Sequence, residues 1–102
     1  MQATLYLPGL APQTVSIAGL SLPDPANHYA YPTPAVAALL NCRPEALDVL
    51  AVGKDYVVWT VFDFEAGPAN LAAMVEVGRL TGTALELEDE AMELRGPVLV
   101  LH

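Results

Sequence analysis

Apolar residues are not spread evenly along this chain; they gather in short blocks whose spacing changes from one block to the next. Residues 3–7 and 14–18 are short and rich in β-formers, and Pro8, Gly9 and Pro12 punctuate the gap, which predicts two strands joined by a long turn. Pro23, Pro25 and Pro32 keep 19–32 from forming a helix, so this stretch reads as a long loop. The segment 33–53 predicts two short helices meeting at a corner. Thr33 caps the first and Pro34 opens it, Pro44 opens the second, and Gly53 stops it. Residues 55–65 are dense in β-branched and aromatic side chains and form the strongest predicted strand.

Gly67 and Pro68 then open a helix running to about residue 80, with Gly82 as its stop. Its surface carries two apolar stripes, one through Leu71, Met74, Val75 and Gly78, the other through Ala73, Val77 and Leu80. A helix this apolar is expected to be covered on more than one side. Leu85 and Leu87 alternate with Glu86 and Glu88, the pattern of a strand with one wet face. An acidic turn over 89–96 precedes a last strand at 97–101 that is apolar on both faces. The order is therefore ββααβαββ. It predicts a single α+β domain spanning 1–102, with a mixed sheet of about five strands, the two-helix corner (33–53) and one apolar helix (68–80). The unit 55–64, 68–80, 83–88 would make a right-handed crossover between parallel strands.

The corner has the spacing of a helix-turn-helix, with Val36, Ala37, Leu40, Cys42, Leu47 and Leu50 at its apolar positions. By that resemblance Arg43, Glu45, Ala46 and Val49 would face a DNA groove. Charge argues against it. Twelve carboxylates face four bases, a formal net charge of −8, and Glu45 and Asp48 lie on the helix that would do the reading. Phosphate binding depends on Lys and Arg, so no nucleic-acid partner is expected, and a transcriptional regulator is only a minor alternative.

No apolar run approaches the roughly 18 residues of a membrane span, and no secretory leader is visible at the start. Cys42 is the lone cysteine, which fits a cytoplasmic setting. Its corner position favours packing over reactivity. Histidine and cysteine are too few for paired metal ligands, and the run Glu86, Glu88, Asp89, Glu90, Glu93 lacks the pattern of a calcium loop. No cofactor is implied.

The candidate chemistry sits in the loop, where Asp24, Asn27, His28, Tyr29 and Tyr31 fall within one short stretch. His28 as a base, Asp24 orienting it and a tyrosine donating to an oxyanion would be one arrangement; a ligand-binding loop is another, and a plain connection a third. The leading expectation is a non-enzymatic domain acting through protein–protein contact, as a homodimer or other homo-oligomer. It rests on strands 57–62 and 98–101 being apolar on both faces, more surface than two layers can cover. A small-ligand-binding or enzymatic domain using the 24–31 loop is the alternative.

Overall fold

A computed structural model describes residues 1–23, 26, 30, 32–53, 55–61, 69–82 and 94–102. Its strands are β1 (Ala3–Tyr6), β2 (Gln13–Thr14), β3 (Leu47–Val52), β4 (Val57–Val61) and β5 (Val98–Leu101). Its helices are α1 (Pro34–Leu40) and α2 (Leu71–Thr81), and a single 3-10 turn occupies Pro44–Ala46. The strands form one five-stranded sheet in the order β2-β1-β5-β4-β3, and every pairing is antiparallel. The α+β class follows directly.

The Val-Leu-Val-Leu run of β5 occupies the middle of the sheet, and all four of its residues are buried. A strand with no polar side chain can sit only where both faces are covered. On one face Leu99 and Leu101 join Ala3, Leu5, Val57 and Trp59 beneath Val36 and Leu40 of α1. On the other, Val98 and Val100 join Tyr6 and Val58 beneath Ala73, Met74 and Val77 of α2. Helix, sheet and helix make three layers within this chain.

Thr33 caps α1 as its sequence predicts. Its Oγ1 accepts from Val36 N (3.4 Å) and donates to Gly19 O (2.9 Å), which ties the chain before the helix to the helix start. Gly19 has φ +77°, and a Cβ there would lie 2.9 Å from the Ala35 Cβ, so both the backbone and the space call for glycine. Asn41 closes α1 in the left-handed region at φ 53°.

Several expectations are corrected. The second helix of the 33–53 corner does not form: after the turn at Pro44–Ala46, residues Leu47–Val52 are an edge strand paired with β4. No helix-turn-helix is therefore built, and Val49, expected to face a groove, pairs with Trp59 instead. The sheet is antiparallel rather than mixed among the described strands, because β4 pairs directly with β5. The strand expected at 14–18 is reduced to Gln13–Thr14. The helix expected at 68–80 is Leu71–Thr81, capped by Asn70. The strand expected at 83–88 lies outside the described residues.

Candidate functional site

A helix is about 10 Å across and neighbouring strands lie about 4.8 Å apart, so one helix shields two or three strands. With seven residues, α1 packs over β5 and β4. The face of β3 beyond them is left with less cover. Leu47, Val49 and Val52 are only half-buried there, although they pack at the margin of the same apolar cluster.

That shortfall forms a cleft of about 370 Å³. Trp59 of β4 and Leu47, Val49 and Val52 of β3 line one part of it. Ala30 and Pro32 from the loop, with Pro44 and Asp48 around the 3-10 turn, complete it. The β3 side depends on an irregularity in register. Val49 pairs with Trp59, but Ala51 pairs with Val58, so Leu50 is the extra residue of a bulge. The bulge resets the alternation, so that Val52, opposite Val57, joins the same cluster as Leu47 and Val49. At the hairpin end Gly53 N donates to Tyr56 O (3.0 Å), and a Cβ at Gly53 would collide with the Tyr56 ring.

Trp59 sits between Val49 on one side and Leu99 on the other, and is 2% exposed. Its indole Nε1 is buried and finds no hydrogen-bond acceptor among the described residues. Buried indole N–H groups usually have a partner, because an unpaired donor has given up water for nothing. A concave space of this volume, with apolar side chains beside a carboxylate, is a form that small-molecule sites take. Among the described residues of the cleft there is one carboxylate, Asp48, and no imidazole, thiol or hydroxyl.

A second hollow, about 400 Å³, lies between the 7–10 turn and the start of α2 and includes Leu7, Leu10, Leu71 and Asn70. Asn70 is 1% exposed, and both its Nδ2 protons are used, donating to Tyr6 O (3.0 Å) and Gly96 O (2.7 Å). Its Oδ1 accepts from Ala73 N (3.4 Å) and caps α2, while its backbone N–H donates to Leu94 O (2.7 Å). One side chain thus joins β1, α2 and the approach to β5. Asn70 is structural, with no donor left for a ligand.

The residues singled out from the sequence, Asp24, Asn27, His28, Tyr29 and Tyr31, lie outside the described residues. Ala30 and Pro32, from the same stretch, do line the cleft. Sequence reasoning missed the cleft because its walls come from three separated segments; Trp59 reads simply as core. Cys42 packs at the margin of the α1 cluster, and burial raises its thiol pKa, which disfavours the reactive thiolate. On α2, Arg79 donates to both carboxylate oxygens of Glu76 and holds that carboxyl below its ordinary pKa. Burial, then the Glu76 charge, raises the Tyr6 phenol, with Arg79 partly opposing, so Tyr6 stays neutral.

Among the described residues no group of three His, Cys, Asp or Glu is placed to hold a metal, and no helix is long and apolar enough to cross a membrane. The chain matches no protein family, and comparison with curated proteins and with solved structures finds none similar to it.

Proposed function

We propose that this chain is a non-enzymatic binding domain whose binding element is the cleft over Trp59. The observation that carries the reading is a cleft of about 370 Å³ walled by Trp59, Val49 and Val52 of the sheet and by Ala30 and Pro32 of the loop. That volume lies in the range of small-molecule sites, and the lining mixes apolar side chains with polar surface. The test uses Prodan, a neutral solvatochromic dye, titrated into the protein. Saturable one-to-one binding with a blue-shifted emission is expected. Val49→Phe, which fills the cleft, should weaken it at least tenfold, and Ala72→Phe at the other hollow should leave it unchanged. Equal binding to the parent and Val49→Phe would place the dye elsewhere and end the reading.

Self-association is a second reading, with a different basis from the one the sequence suggests. The apolar faces of β4 and β5 are covered within the chain, so they do not ask for a partner. What favours contact is α2, where Leu71 and Val75, one turn apart, are 54% and 74% exposed. Against it stands the net charge of −8, which opposes the approach of two copies. If α2 is an interface, sedimentation velocity at micromolar concentration should show a dimer, and Val75→Lys should return it to monomer. A monomer mass at every concentration retires this reading.

A further inference from the structure

Resting on the cleft reading, we infer what kind of molecule occupies it: an extended segment of a partner protein that adds as a strand to the open edge of β3, apolar at alternate residues and basic between them.

The hydrogen-bond ladder fixes which main-chain groups of β3 are free to pair. Gln2 and His102 exchange both backbone hydrogen bonds, at 2.6 and 3.0 Å, so His102 faces β1. Main-chain direction alternates along an antiparallel strand, so Val100 and Val98 also face β1, while Leu101 and Leu99 face β4. Their partners Val57 and Trp59 therefore turn their own N–H and C=O groups toward β5. Val52 and Val49 stand opposite Val57 and Trp59 on β3, so their main-chain groups point out of the sheet. The hairpin end agrees: Gly53 N donates inward to Tyr56 O, which leaves its neighbour Val52 facing outward. Among the described residues nothing pairs with that edge. The extra residue at the bulge makes Val49 and Val52 successive outward positions, the places of i and i+2 in a regular strand.

The same residues border the cleft. Residues opposite one another in a ladder share a face, so those of an added strand that meet Val49 and Val52 would lie on the cleft side. In recognition by strand addition, main-chain bonds supply affinity and pockets for alternate side chains supply specificity. The polar part of the lining has a matching source. The Trp59 nitrogen has essentially no accessible surface, and every other lining side chain except that of Asp48 is apolar, so the remaining polar surface is main chain. The opposite edge of the sheet offers no equivalent, since β2 is two residues long.

Charge selects among extended segments. The intervening residues of an added strand fall on the other face, beside Asp48, which is exposed. Opposite charges on neighbouring strands attract and like charges repel. The chain's formal charge of −8 draws a basic segment toward it and opposes a second copy of itself.

Three peptides test this against the whole chain: an acetylated and amidated heptapeptide alternating lysine with valine, the same peptide N-methylated on its valines, and a version with glutamate in place of lysine. Calorimetry reads affinity, and proton–nitrogen correlation spectra read amide exchange. The first peptide should bind one-to-one and slow exchange of the Val49 and Val52 amides at least tenfold. N-methylation deletes the peptide's pairing donors while keeping its charge, and should weaken binding at least tenfold, as should glutamate. Equal binding of the N-methylated peptide would overturn strand addition, and equal or tighter binding of the glutamate peptide would overturn the basic occupant. Val49 and Val52 amides that are protected without peptide and lose protection on dilution would make the occupant a second copy, which also overturns it. If no peptide binds while Prodan still does so in a Val49-dependent way, this inference fails and the cleft reading stands. Loss of dye binding as well ends both.

Discussion

Replacing Asn70 with alanine is expected to be among the most destabilising single changes in this chain. The Gly96 carbonyl would lose the Asn70 donor, the Tyr6 carbonyl would keep only its ladder partner at Val98, and α2 would lose its cap. An orphaned buried acceptor costs about 1–3 kcal/mol and a lost cap about 0.5–2 kcal/mol, so a total of about 2–5 kcal/mol follows. Domains of this size hold together by about 5–15 kcal/mol, so the change takes a large share of the whole. In thermal melts the midpoint should fall by at least about 8 °C. Asn70→Asp separates the parts, because it keeps the capping oxygen and sets a carboxylate against two carbonyls. At neutral pH it should be no more stable than Asn70→Ala. A fall of only a few degrees in both variants would show that the three segments are held together by packing alone.

Trp59→Ala is the second large effect, and two opposing contributions set its size. Removing a buried aromatic from a packed face costs about 3–5 kcal/mol through lost burial and the cavity left behind. Against this, the parent already carries the cost of an unpaired indole donor, about 1 kcal/mol or more, which the variant no longer has. Burial wins, and a net loss of about 3 kcal/mol is expected. Trp59→Phe keeps much of the ring volume and drops the donor, so it should cost much less. Urea denaturation followed by circular dichroism checks both without relying on tryptophan fluorescence. A Trp59→Ala variant within about 1 kcal/mol of the parent would mean that the α1 face repacks freely around the gap.

The elements that could be read from the sequence were those whose residues leave no choice. Val98–Leu101 is apolar at every position, so only the middle of a covered sheet can hold it, and that is where it lies. Val57, Val58 and Trp59 are legible for the same reason, and all three are buried. Thr33 and Pro34 announce the start of α1 by local hydrogen bonding and a fixed φ.

The failure at 44–52 is equally physical. Leu47 and Leu50 are three apart, Pro44 opens and Gly53 closes, all of which suit a helix. The same residues also alternate, Leu47 and Val49 against Asp48 and Leu50, and over so short a stretch the two periods are not distinguishable. What decided was tertiary: β4, apolar on both faces, needs a neighbour on each side, and the short link at Gly53 and Tyr56 delivers β3 beside it. A bulge at Leu50 then blurs the strand's alternation, which hid the signal further. Asn70 falls inside the helix expected from Pro68, although asparagine followed by a helical run is a capping signal. Its two long-range carbonyl partners have no local trace. An indole without an acceptor has none either, since the lack of a partner becomes visible only after the chain has folded.

The place of β5 has a consequence for how the chain reaches this state. The pairs β1–β2 and β3–β4 are hairpins whose strands meet across short links, so each can form early from local contacts. Neither hairpin pairs with the other. They are joined only when β5 inserts between them, through pairs as distant in the chain as Thr4 with Val100. Closing so long a loop is entropically costly before its contacts repay it, and topologies of this kind fold slowly. Until that insertion, β1 and β4 each present an unpaired inner edge beside apolar side chains. On refolding, those two edges are where one molecule would catch another, so yield should fall as protein concentration rises.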